Sequence, residues 1–331
     1  MADDRGSTYY LIVLGIIIIG FTSGEDIFRQ KRDDAHKVIV TTITEEPYVM
    51  LKNPRGSGND NFEGIIPDMM AYISDKLKLH YEFRIVGDSK YGSKDESGKW
   101  SGMIGEMLRG TADMAAAPIT ISMEREKVVD FAKPFEHFGT VLLVLEPEDG
   151  SEPKISSMDD LAKQNELSYG IVRDGVTETF FKSSNIDTYK KIWETISQNP
   201  QNMVGKVEEG VEKVRKSKGK YVFIVESATA EYWVNKAPCN LRIVGDRINS
   251  NAFGFALKKG DDYKEKIDEV ILEMKASGTM NQIRKKWKRG ECGRDIFTDD
   301  INSAPPLSGG VLGVTRQMAL WSALTAVLLR L

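Results

Sequence analysis

Apolar and polar positions alternate along Lys37-Val-Ile-Val-Thr-Thr-Ile-Thr, a period of two that predicts a first strand ending at Glu46-Pro47-Tyr48. The Gly-, Asn- and Pro-rich stretch from Asn53 to Asn61 reads as a loop. Between Pro67 and Leu77 the apolar residues recur at helical spacing behind a proline that suits a first turn. Tyr81 to Val86 predicts a strand and Met103 to Arg109 a helix. The alternation then resumes: a strand over Thr140 to Leu145, a polar hinge from Glu146 to Pro153, and a short helix over Met158 to Lys163. A strand over Leu167 to Val172, a helix over Glu178 to Ser183, a strand from Tyr221 and an amphipathic helix over Lys264 to Lys288 complete the pattern. Strands alternating with helices imply an α/β fold with largely parallel pairing, and no fixed-period repeat is visible.

Two places in this pattern carry chemistry. The apolar run Ala115-Ala-Ala leads into Pro118, Thr120 and Arg125, where a strand becomes a helix. A carbonyl released from strand pairing, a hydroxyl and a guanidinium then stand close together. About a hundred residues later the apolar strand Tyr221-Val-Phe-Ile-Val ends in Glu226. An arginine for a carboxylate and a glutamate for an ammonium, on two separate α/β segments, imply a two-lobed clamp for an amino acid. The turn Asp174-Gly175-Val176-Thr177 opens a helix, and its unpaired backbone N–H groups suit a further carboxylate. Read singly, Arg125 is a surface helix charge and Glu226 a helix cap or turn residue; Thr120 and Thr177 are structural, and Phe62 is core.

Composition narrows the possibilities. At 331 residues, 41% hydrophobic and with a net charge of -4, the chain can bury a substantial core and has no basic excess to suggest nucleic acid. The basic run Lys213 to Lys220 reads as a solvated helix end. Three His and two Cys offer no metal cluster, and no cofactor motif or nucleophile–base grouping suggests an enzyme. Residues 1–24 contain an apolar stretch, Tyr9 to Phe21, of signal-peptide length, with a retained anchor as the alternative. Residues 293–331 read as a spacer and an apolar tail, Met318 to Leu329, in the order of a glycolipid-anchor signal. Both ends point to the secretory route and the extracellular face, where Cys239 and Cys292 could pair, although the chain has no Asn-x-Ser/Thr sequon.

Several ordered segments carry a resemblance. Thr41-Thr-Ile-Thr-Glu-Glu-Pro-Tyr-Val-Met50, Ile85-Val-Gly-Asp-Ser-Lys-Tyr-Gly92, Ala117-Pro-Ile-Thr-Ile to Asp130-Phe131, Ser217-Lys-Gly-Lys-Tyr221 and Arg289-Gly-Glu-Cys292 are similar to the ligand-binding core of ionotropic glutamate receptors of the AMPA and kainate types. The resemblance covers about His36 to Cys292. It implies a periplasmic-binding-protein-like clamshell with an interdomain cleft: lobe 1 from residues 36–138 plus 252–292, lobe 2 from residues 139–251. It further implies that Arg125 holds a ligand α-carboxylate, that Thr120 and the Pro118 carbonyl assist, and that Glu226 takes the ammonium. Thr177 would meet a second carboxylate, as in L-glutamate, with Val176 beside it, and Phe62 would be an aromatic lid. Cys239 and Cys292 match the family's disulfide.

The chain departs from that pattern in three places. Val176 stands where AMPA receptors have Ser, and Phe253 where many members have Tyr. Between Leu145 and Ile155, where the family inserts its pore segments, only the polar Glu146 to Lys154 is present. The implied protein is an amino-acid binder without its own pore. Its alternatives are an accessory or decoy subunit of a glutamate-gated channel, dimerising with itself or with receptor subunits, or a transporter's solute-binding protein.

Overall fold

A computed structural model describes residues 37–293, of which those up to Cys292 form one compact unit. The stretches Tyr9 to Phe21 and Met318 to Leu329, on which the signal, anchor and lipid-tail expectations rest, lie outside the described residues. The predicted first strand forms as Val38–Thr42 and becomes the centre of parallel pairing, with Tyr81–Ile85 on one side and Met114–Ala115 on the other. Ala256–Leu257 then adds antiparallel, and Asp130–Phe131 closes this five-stranded sheet. A second sheet of four strands runs in the order Leu241–Phe253, Glu136–Leu145, Tyr221–Glu226, Ser168–Gly170.

Pairing in the second sheet is not largely parallel. Only Ser168–Gly170 and Tyr221–Glu226 run together, while Glu136–Leu145 is antiparallel to both of its neighbours. The reason is topological. The chain enters the second lobe along Glu136–Leu145 and leaves it along the adjacent Leu241–Phe253, so the outgoing and returning strands oppose each other. This ribbon is longer than the apolar pattern suggests. Polar Glu136 and His137 extend the first strand, and Arg242, Asp246, Arg247 and Asn249 hide the second.

Each sheet carries apolar helices on both faces. In the first lobe Val40, Ile66, Met70 and Ile271 pack on one side and Met103, Ile104 and Ala115 on the other. In the second, Leu142, Phe181 and Ile192 form one layer and Leu143, Val211 and Phe223 the opposite one. The amphipathic segment Lys264 to Lys288 is two helices, Tyr263–Ala276 and Thr279–Lys288. They break at Gly278, whose φ of 79° lies in the left-handed region that glycine enters without a Cβ penalty. Both pack on the Ile65–Leu77 helix of the first lobe.

Charge is buried where the ribbon starts. Glu136 and Lys288, 5% and 3% exposed, form an ion pair, and the Tyr48 hydroxyl donates to Glu136 at 2.9 Å. Burial alone would raise the Glu136 carboxyl, but the charges of Lys288 and Arg284 outweigh it and hold the group below its ordinary range. Cys239 and Cys292 form a disulfide with Cα atoms 5.4 Å apart, tying the last residue of the compact unit to the second lobe.

Two stability outcomes follow from these contacts. Replacing Lys288 by Ala leaves Glu136 buried without its counter-charge, and urea unfolding should read a loss of about 3–5 kcal/mol. Replacing Cys239 and Cys292 together by Ser releases a loop closed over 53 residues and should cost about 4 kcal/mol in the same assay. A loss under about 1 kcal/mol in either variant would contradict the corresponding assignment.

Candidate ligand-binding site

After the Met114–Ala115 strand, Pro118 cannot donate a backbone hydrogen bond, so the ladder stops there. The next residues are lashed to the returning strand instead. Ile121 N–H donates to the Ala252 carbonyl at 2.9 Å, Gly254 N–H donates to Ile119 at 3.0 Å, and Thr120 bridges to Phe253. Ser122 then caps the one-turn helix Met123–Glu126, which carries Arg125 into the interior, only 4% exposed.

The guanidinium is held by main-chain oxygens. Nε and Nη2 donate to the Gly92 carbonyl at 3.1 and 3.0 Å, and Nη1 donates to the Thr120 carbonyl at 2.8 Å. Three of the five guanidinium N–H groups are thereby used, and one remains on each Nη, the fork that a carboxylate accepts in bidentate fashion. Gly92 is required for this cradle. Its φ is 129°, and a Cβ there would lie 2.6 Å from Cβ of Ile104, so only glycine brings its carbonyl under the arginine.

From the second lobe, the Tyr221–Glu226 strand ends where the Ser227–Asn235 helix begins, which sets Glu226 at the junction. Thr177 sits in the first turn of the Val176–Ser183 helix, and its hydroxyl donates to Glu226 Oε1 at 3.0 Å. The backbone N–H groups of that turn have no partner within the helix by geometry. Pro118, Thr120, Arg125, Val176, Thr177 and Glu226 all line one cavity of about 370 Å³ between the two sheets. Phe62 is not in the lining. Its strand pairs with Met50–Leu51, and its ring packs 5.0 Å from Phe83 against the first core.

Three wall residues escaped the sequence reading. Tyr91, in the segment Ile85 to Gly92, supplies an aromatic wall and donates its hydroxyl to Glu45. Glu45 lies inside the segment Thr41 to Met50, just before the Glu46-Pro47-Tyr48 that ends the predicted strand. Glu208 opens the Val207–Lys216 helix, of which only the basic end, from Lys213, reads from sequence as solvated. At the mouth, Lys90 of the first lobe pairs with Asp174 of the second at 2.8 Å.

Burial dominates the electrostatics. It lowers the Arg125 guanidinium to about 10, against the opposing pull of Tyr91 and Glu226. It raises the Glu226 carboxyl, while a backbone hydrogen bond, the Thr177 hydroxyl and the Arg125 charge draw it back. A cation and an anion from different lobes therefore face one cavity. A zwitterion placed between them would satisfy both.

Residues 36–148 match a family profile described as "Ligated ion channel L-glutamate- and glycine-binding site". The chain is also 28% identical to Glutamate receptor 3 of Mus musculus, over 84% of this chain and 45% of the receptor. Both comparisons support a core similar to the ligand-binding part of glutamate receptors. The chain spans less than half the length of that relative. The alignment runs over 404 residues, more than the 331 of this chain, so the receptor carries material within the matched region that is absent here. Among the described residues of the core no helix is long and apolar enough to cross a membrane.

Thr177→Val removes a hydrogen bond that favours the ionised form of Glu226 in this core. The Glu226 carboxyl should therefore titrate at a higher pH in the variant than in the parent chain, followed by NMR of carboxyl-labelled glutamate. An unchanged titration would mean that the hydroxyl does not support the carboxylate.

Proposed function

We propose that this chain captures a free α-amino acid, L-glutamate or a close relative, by closing two lobes around it outside the cell. Lobe 1 comprises residues 36–138 and 252–292, and lobe 2 residues 139–251. The observation that carries the reading is the Arg125 fork facing Glu226 across one cavity. Arg125 takes the α-carboxylate through its two uncommitted N–H groups, with Thr120 beside it, while the Pro118 carbonyl and Glu226 share the ammonium. The start of the Val176–Ser183 helix, with Thr177, receives a side-chain carboxylate. That last contact is what favours glutamate over glycine. A ligand held first by lobe 1 stabilises the closed form only through its added contacts with lobe 2.

The relative's name, Glutamate receptor 3, supports a second reading in which the captured ligand is reported to a receptor partner. The stretch Glu146 to Lys154 has no apolar run and joins the strand Glu136–Leu145 to the helix Met158–Lys163 within lobe 2, so this chain would act as a pore-less accessory or decoy subunit. Dimerisation and lipid attachment at the extracellular face belong to that reading. Binding, not catalysis, is the chemistry in both, because charge complementarity without a nucleophile and base holds a zwitterion unchanged.

Calorimetry of the full chain against the twenty amino acids tests the proposal. An acidic amino acid should bind, and Arg125→Ala should abolish the binding, because the ligand carboxylate would be buried without a partner. Each charge-assisted contact contributes about 1.5–3 kcal/mol. Glu226→Gln should therefore weaken binding by at least about tenfold while leaving the fold intact. Unchanged affinity in Arg125→Ala would refute the reading.

A further inference from the structure

The α-amino-acid contacts leave one part of the cleft unused. Glu45 projects from the turn after the Val38–Thr42 strand, a turn pinned by Glu45 N–H to the Val49 carbonyl at 2.9 Å and Tyr48 N–H to the Glu45 carbonyl at 2.8 Å. It lines the cavity and has no cation partner among the described residues. Its neighbour Glu46 is paired with Lys236 and accepts from Tyr232, so the two adjacent acids have different environments.

The groups facing Glu45 are hydrogen-bonding or negative. From its own lobe, the Tyr91 hydroxyl donates to Oε2. From the second lobe come the carboxylates of Glu208 and Glu226 and the hydroxyl of Thr229. Thr229 is 1% exposed, and its hydroxyl favours the ionised form of Glu45 without making a hydrogen bond of good geometry. The cations on the same wall are directed elsewhere: Arg125 to main-chain carbonyls and Lys90 to Asp174. Lys206 and Glu209 also line the cavity, and they bracket Glu208 in sequence.

We propose that the cleft binds a proton on Glu45 together with the amino acid, so that ligand capture is proton-coupled. This rests on the amino-acid reading above. When the lobes part, Glu45 is an ordinary solvated carboxylate. When they close, it is brought towards the carboxylates of Glu208 and Glu226, and the cost is lowest if it takes a proton from solvent. Tyr91 donates to one carboxyl oxygen, and the proton taken from solvent resides on the other. No covalent bond changes. The electrostatics agree with the geometry: burial first, then Glu208 and Glu226, push the Glu45 carboxyl from 4.5 to about 8, against the Tyr91 and Thr229 hydroxyls.

The sign follows from linkage. A carboxyl raised in the closed form binds more protons there than in the open form between the two values, so closure weakens as pH rises from about 4.5 towards 8 and changes no further above it. The Glu45 contribution to affinity should fall by up to about tenfold per pH unit across that window. Glu226 works the other way, because it must be ionised to accept the ammonium. A comparison of variants separates the two.

The test is calorimetry of the full chain with L-glutamate at about pH 6.5, roughly midway in that window, in two buffers of different ionisation heat, for the parent chain and Glu45→Gln. The parent should take up about one proton more per ligand than the variant, since Glu226 contributes equally to both. Glu208→Gln should move the fall in affinity to lower pH. Equal proton counts in parent and Glu45→Gln, with L-glutamate still bound, would overturn the proposal and leave the amino-acid reading standing. Absence of L-glutamate binding to the parent chain would remove both. Should Glu45→Gln not fold, carboxyl NMR of the parent chain decides: a Glu45 titration near 8 with ligand bound supports the proposal, and one near 4.5 overturns it.

Discussion

A buried guanidinium with two uncommitted N–H groups constrains this whole molecule. Arg125 cannot shed its charge at neutral pH, and main-chain carbonyls offset only part of the cost of withdrawing it from water. The remaining imbalance has to be met by an anion from outside or by the opposing lobe. Glu226 supplies negative charge across the cavity without forming an ion pair with Arg125, and the space between them remains open to a ligand. Several less conspicuous features serve that one group. Gly92 gives up its side chain so that its carbonyl can reach the arginine, and Thr120 is bridged to the returning strand so that its own carbonyl stays in place.

The antiparallel ribbon of Glu136–Leu145 and Leu241–Phe253 is the second constraint. Its ends belong to different surroundings: Phe253 packs among first-lobe aromatics, whereas Leu142 and Leu143 lie in second-lobe layers. Any rotation of one lobe against the other passes through these two strands, which interrupt their register between Val244 and Ile248 and again before Asn251. Such irregularities bend and twist a ribbon locally, as a hinge between rigid layers requires. The buried Glu136–Lys288 pair anchors the first-lobe end of the ribbon.

The cleft is also unevenly charged. Its first-lobe wall includes Arg125 and Glu45, while the second lobe adds Glu208 and Glu226. Closure therefore brings carboxylates together as well as opposite charges. A ligand ammonium relieves one of these clashes, and protonation relieves another. The Lys90–Asp174 pair at the mouth is largely solvent-exposed, and pairs of that kind contribute at most about 1 kcal/mol. Closure is governed by what fills the cavity.

Much of this was legible in one dimension because local patterns have local causes. The apolar run ending at Pro118 and the strand ending at Glu226 announced themselves through hydrophobicity giving way to a single polar group, and both reached the cavity. The resemblance carried Thr120, Val176 and Thr177 there as well. Phe62 lies outside the lining, because its strand pairs with Met50–Leu51 and its ring packs on Phe83. Glu45, Tyr91 and Glu208 were invisible as a group. They lie far apart in the chain, and a carboxylate acquires its unusual character only from what is folded against it. The sequence by itself determined the strands, the helices and the chemical types at their ends. The tertiary structure alone decided which of those groups share a low-dielectric space, because desolvation and charge–charge coupling depend on distance in three dimensions and not on spacing along the chain.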